Sequence, residues 1–111
     1  MTDRQYSNCI VEAQTYTDRE AYISDMALSS IWGDGPKDEV SQDRIDQLGS
    51  IYDAVHRSVK DIAADAGLSQ RKLAERFCIP YRTMENWCGG QNPCPLYVRL
   101  MMQMCLGLIS R

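Results

Sequence analysis

The chain has 111 residues, 44% apolar and 24% charged, the composition of a soluble globular domain and not of a disordered or fibrous chain. A chain this short hides about two thirds of its unfolded surface, enough for a small core but not for a large multi-domain enzyme. Its net charge of −3 conceals a polarity, since residues 1–54 hold four Lys/Arg against eleven Asp/Glu (−7) and residues 55–111 hold eight against four (+4), which suggests an anion-binding surface on one half only.

The opening stretch carries Tyr6, Cys9, Ile10, Val11 and Ala13 without a clean strand or helix period, so its state stays open with a lean toward a short helix. At Thr17-Asp18-Arg19-Glu20 a capping box is expected, the Thr17 hydroxyl accepting from the Glu20 amide and the Glu20 carboxylate reaching back. The helix it opens carries Ala21, Tyr22, Met26, Leu28 or Ser29, and Ile31-Trp32 at helical spacing, and Gly33 supplies the stop. Residues 33–38, with two glycines, a proline and charges, have turn chemistry. Ile45, Leu48, Ile51, Tyr52 and Val55 then step by helical intervals, which predicts an amphipathic helix over about 41–55.

A break is expected near His56-Arg57, where His56 reads as a helix-junction residue. Ser58 restarts the chain as a cap, supported by Asp61; Val59, Ile62, Ala63 and Ala66 form the buried stripe and Gly67 closes it. Ser69 caps a short helix to about Phe77 whose inner face is Leu73, Ala74 and Phe77. Pro80 suits the first turn of the next helix, because its missing amide proton costs nothing there, and Gly89-Gly90 end that helix after Cys88. The loop from Gln91 to Pro95 leads into a last helix, 96–108, that is apolar nearly all round and so needs cover on more than one face, from its own domain or a second subunit. The expected fold is therefore all-α: a small helical bundle with a helix-turn-helix over 55–111, preceded by an acidic N-terminal helical extension over 1–54.

Two short helices joined by a tight turn have a defined chemistry. Ala74 is small where the second helix crosses, while Leu73, Phe77, Ile79, Met84 and Trp87 lock the pair. Tyr81, Arg82 and Asn86 are then left outward near the start of the second helix, the part that helix-turn-helix proteins set against base edges. Arg82 suits guanine O6 and N7 and Asn86 suits adenine N6 and N7, each pairing worth roughly 1–3 kcal/mol of discrimination. Arg71, Lys72, Thr83, Gln91 and Asn92 are assigned to the DNA backbone, where contacts hold position without reading sequence.

The run Ala66-Gly67-Leu68-Ser69-Gln70-Arg71-Lys72-Leu73-Ala74-Glu75-Arg76-Phe77, followed by Ile79-Pro80-Tyr81-Arg82-Thr83-Met84-Glu85-Asn86-Trp87, closely resembles the phage-repressor-type helix-turn-helix family, also called XRE or Cro/C1-like. The resemblance covers about residues 58–109, and its G-L-S-Q-x-x-L-A, I-P-x-x-T, W and G elements fall in register. It implies a bundle of about five helices that docks its third in the major groove of double-stranded DNA, commonly as a homodimer on a two-fold operator. Carried over, it places Gln70 against a phosphate and Tyr81, Arg82 and Asn86 toward the bases. Cys78 stands where the family often has glycine, which implies a strained or altered turn, and Cys88 where it often has glutamate. The acidic half lies outside the resemblance.

Other features have two readings each. Trp87 is a core anchor or a base-stacking platform; the methionines of the last helix are packing or a ligand groove. Arg71, Lys72, Arg76 and Arg82 are a solvated helix face or a phosphate-binding surface. The carboxylates Asp34, Asp38, Glu39, Asp43 and Asp46 are a solubilising surface or a site for a basic protein partner, which makes an antitoxin-like or inhibitor-like interaction module the rival function. The five cysteines read as buried thiols; no C-x-x-C pair and a single histidine leave no metal site and no cofactor to expect. No phosphate-binding loop, H-E-x-x-H or nucleophile elbow is present, so no enzyme is expected. Apolar runs are too short for a membrane span and residues 1–10 lack a signal peptide's apolar stretch, so the expected location is the cytoplasm.

Overall fold

The computed structural model describes residues 1–33 and 40–109, and among these every regular element is helical. The turn expected over 33–38 lies, after Gly33, outside the described residues, as do Asp34, Asp38 and Glu39. The chain divides into two compact units, Met1–His56 and Arg57–Arg111.

The first unit holds α1 (Asp3–Ala13), α2 (Arg19–Ala27), a single 3-10 turn (Ser30–Trp32) and α3 (Gln42–His56). The open N-terminal stretch is a full helix, started by a capping box in which the Thr2 hydroxyl accepts from the Gln5 amide and the Gln5 side chain returns to the Thr2 amide. The α2 cap is Asp18 and not Thr17: its carboxylate accepts from the Glu20 amide at 3.1 Å, a stronger acceptor than a hydroxyl beside a helix N-terminus. With Arg19 as first helical residue, its guanidinium forks onto Asp53 of α3 at 3.0 and 3.3 Å. It does so across Gly49, where any Cβ would run into that guanidinium.

The expected long helix to Gly33 stops at Ala27, and Leu28 is left 74% exposed. The carbonyls freed there have partners from elsewhere: the Trp32 indole donates to Met26 at 2.7 Å and Arg44 of α3 donates to Ala27 at 3.3 Å while lying 4.2 Å from the Trp32 ring centroid. Tyr22 is the centre of this unit. Fully buried, it donates its hydroxyl to the Cys9 carbonyl at 2.8 Å and meets the rings of Tyr16 and Tyr52 at 5.5 and 5.6 Å. His56 ends α3 stacked on Tyr52 and bonded through Nε2 to the Ala13 carbonyl at 2.9 Å, so the junction residue ties α3 back to the end of α1.

The second unit holds α4 (Val59–Asp65), α5 (Gln70–Arg76), α6 (Tyr81–Cys88) and α7 (Leu96–Cys105), with α4 packed against the other three and α5 against α6. Val59, Ile62, Ala63, Leu73, Ala74, Met84 and Met102 form its core, and Phe77, Ile79 and Trp87 pack on it half-buried. The caps read from the sequence are made: Ser58 with Asp61 as a capping box, and Ser69 accepting from the Lys72 amide at 3.1 Å. Both α4 and α5 end in the same closure, in which the residue after the cap is left-handed and the next amide reaches five residues back. Leu68 bonds Ala63 at 2.9 Å behind Gly67 (φ +70°), and Ile79 bonds Ala74 at 2.9 Å behind Cys78 (φ +55°).

Cys78 thus keeps a turn that glycine would occupy without steric cost. A left-handed L-residue costs roughly 1–2 kcal/mol, and glycine gives part of that back through its freer unfolded state. Cys78→Gly is expected to stabilise this unit by about 0.5–1 kcal/mol, read as a higher urea midpoint at unchanged slope. A lower midpoint would mean that the exposed Cys78 side chain contributes more packing than its backbone costs.

The cysteines do not follow the expectation of five buried thiols: Cys9 is buried, Cys88 and Cys94 are half-buried, and Cys78 and Cys105 are exposed. Cys78 is turned outward by its left-handed backbone, and Cys105 lies on the outer face of α7. That last helix ends at Cys105 and not Leu108, because Gly107 goes left-handed and the Leu108 amide returns to the Gln103 carbonyl at 2.9 Å. Gln103 is its unforeseen core residue. It is fully buried and accepts from Arg57, which pairs with Asp65 at 2.9 Å and whose own carbonyl accepts from Arg99 at 2.8 Å. Two of the eight cations of the basic half are therefore engaged in joining the start of α4 to α7.

Candidate nucleic-acid interface

The nine residues expected to meet DNA all lie on α5, α6 and the loop that follows. Gln70, Arg71 and Lys72 form the first turn of α5, with Gln70 half-buried and Arg71 and Lys72 exposed. Tyr81, Arg82 and Thr83 form the first turn of α6; Arg82 is exposed, and Tyr81 and Thr83 are half-buried. Asn86 stands one turn beyond Arg82 on the same side of α6, because residues four apart on a helix are neighbours. Met84, fully buried at the centre of α6, fixes which side that is.

Two associations join the set. The Arg71 guanidinium lies 4.1 Å from the Tyr81 ring centroid, a cation–π stack that spans the turn between α5 and α6. The amides of Gln91 and Asn92 both donate to the Asn86 carbonyl, at 3.0 and 3.4 Å, so the loop folds back over the end of α6 with both side chains exposed. Among the described residues no side-chain hydrogen bond links Lys72, Arg82, Thr83 or Asn86 to another member of the set.

Ion pairing separates these cations from Arg19 and Arg57, although among the described residues Arg4 and Lys60 are likewise without an ion pair. Arg19 and Arg57 are paired with carboxylates, whereas among the described residues Arg71, Lys72, Arg76 and Arg82 form no ion pair, including the Lys72–Glu75 pairing that a solvated helix face would favour. Four exposed cations without an ion pair, against Glu75 and Glu85 on the same two helices, leave α5 and α6 together net positive. Compared with models of known protein families, with curated proteins and with solved structures, the chain has no significant match.

Burial pushes the Cys88 and Cys94 thiols upward, against the opposing charges of Lys60 and Arg99 respectively, so both stay protonated and weak as nucleophiles. Among the described residues no group of three or more His, Cys, Asp or Glu is arranged to hold a metal ion, and no helix is long and apolar enough to cross a membrane. Sequence reasoning missed the roles of Arg57, Arg99 and Gln103. The signal available was Gln103 itself, a lone polar side chain at a position the apolar pattern of α7 assigns to the core.

Proposed function

We propose that the chain is a sequence-specific DNA-binding transcriptional regulator, acting as a repressor, which sets α6 in the major groove of double-stranded DNA. The observation that carries this reading is the net positive pair of helices α5 and α6, with Arg71, Lys72, Arg76 and Arg82 exposed and without an ion pair, joined by a tight turn whose Cys78 is left-handed. In this reading Tyr81, Arg82 and Asn86 face the bases, and Gln70, Arg71, Lys72, Thr83, Gln91 and Asn92 hold the backbone. The chain acts as a homodimer through α7, whose Tyr97, Met101 and Met104 are exposed at 67%, 54% and 41%, apolar area of the kind that marks an interaction site.

Selection of bound duplexes from a random DNA pool, followed by salt titration on the selected duplex, tests it. Each neutralised phosphate contributes about −0.9 to the slope of log K against log salt, so Arg71 and Lys72 from two chains give a slope of about −3.6. Light scattering of the complex should count two chains per duplex. Arg82→Ala should cost roughly 1–3 kcal/mol on the selected duplex and much less on random DNA. Equal losses on both would remove Arg82 as a base reader, and absence of any binding at low salt would reject the reading. In that case a protein-interaction module takes its place, favoured by the −7 carried by residues 1–54.

A further inference from the structure

We infer that Tyr81 is a positioning residue, holding the Arg71 guanidinium ready for a phosphate of the DNA backbone, and not a reader of bases. The inference rests on the DNA-binding reading above and changes what one of its residues does. Its basis is the stack itself: the guanidinium sits over the Tyr81 ring at 4.1 Å, and the ring also packs half-buried against the core of the second unit. One ring face is thereby occupied by a cation and the ring is fixed by the core behind it, an arrangement unsuited to stacking on a base.

The same geometry suits Arg71 to phosphate. A cation–π contact uses the flat face of the guanidinium and leaves its N–H groups, which point outward in the plane, free to fork onto two phosphate oxygens. Arg71 is exposed and, among the described residues, has no carboxylate to satisfy those donors. An arginine loose in solvent loses about 0.5–1.5 kcal/mol of side-chain freedom on being immobilised at an interface. Stacking on a ring already fixed by the core takes most of that loss before DNA arrives. The pair also bridges the first turns of α5 and α6, so a phosphate held by Arg71 sets the register of α6 along the groove.

A double-mutant cycle on the full chain tests the inference, using the duplex selected above and a short random-sequence duplex as probes. Arg71→Ala and Tyr81→Leu are each expected to weaken both complexes about threefold to tenfold, by the same factor on each probe. The double variant should bind no more weakly than Arg71→Ala alone, since the ring has nothing left to position. Tyr81→Phe keeps the stack and should bind as the unaltered chain does, and being conservative it guards against misreading a folding defect in Tyr81→Leu.

Additive losses in the double variant, or a change of preferred base caused by Tyr81→Phe, would overturn the positioning role while leaving DNA binding intact. No binding of the unaltered chain to either probe at low salt would overturn both.

Discussion

Met84→Ala is expected to destabilise severely the unit that carries α5 and α6. Met84 is fully buried at the centre of α6, packed with Ile62, Leu73 and Met102, and its Sδ accepts from the Cys88 thiol at 3.8 Å. Truncating a buried methionine to alanine removes its transfer free energy and leaves a cavity that collapses only in part, a cost of about 2–5 kcal/mol. A unit spanning Arg57–Arg111 has a total stability of roughly 3–8 kcal/mol on the usual per-residue scale, so the loss consumes most of it. Urea denaturation followed by far-UV circular dichroism should show the midpoint fall steeply, with the proposed DNA binding lost in parallel. Met84→Leu, which nearly conserves volume, should cost less than about 1.5 kcal/mol and keep binding. If Met84→Ala proved nearly neutral, Met84 would not anchor α6 and the outward placement of Arg82 and Asn86 would lose its support.

The second large effect is on alkaline stability of the first unit. Burial holds the Tyr22 phenol far above the ordinary tyrosine value, with the Cys9 thiol and Glu12 adding in the same direction. A group whose folded pKa is raised gives stability that is fully present below the unfolded value, here 10.0, and that drains away as pH climbs past it, because only the unfolded chain can then release the proton. The loss is about 1.4 kcal/mol for each pH unit above that point, or about 2.7 kcal/mol two units higher. Burial lifts the Cys9 thiol as well, with the Tyr22 hydroxyl pulling the other way, so the decline begins slightly earlier.

Tyr22→Phe separates this effect from general alkaline damage. The variant should lose about 1 kcal/mol at neutral pH with the missing bond to the Cys9 carbonyl, yet decline more slowly above the tyrosine range. Urea midpoints read from the methyl signals of Ile10 and Ile51, both buried in this unit, would follow it. Parallel decline of Tyr22→Phe and the unaltered chain would show that Tyr22 ionisation is not what limits it.

What the sequence made legible was local. Ser58, Ser69, Gly67 and Pro80 act within a few residues of themselves, and each begins or closes a helix where its chemistry indicated. At the start of α2 the expected Thr17 cap gives way to Asp18, whose carboxylate is the stronger acceptor beside a helix N-terminus. The N-terminal helix was obscured because Val11, 55% exposed, breaks the apolar pattern of Cys9, Ile10 and Ala13. The same limit applies at the candidate site. Subtraction from the inward residues of α6 finds the exposed Arg82 but not the half-burial of Tyr81 and Asn86, and the Arg71–Tyr81 stack and the Arg57–Gln103 bond join residues 10 and 46 positions apart, pairs that no periodicity encodes.

The paired closures behind Gly67 and Cys78 have a kinetic corollary. They let α4, α5 and α6 follow one another through connections of only a few residues, so the contacts that build this half of the chain are mostly between near neighbours in sequence. Little loop entropy has to be surrendered before burial rewards it, which is the condition under which helical bundles reach their native state in microseconds to milliseconds. The left-handed cysteine sits inside one of those connections, so its conformational penalty falls on a short-range turn.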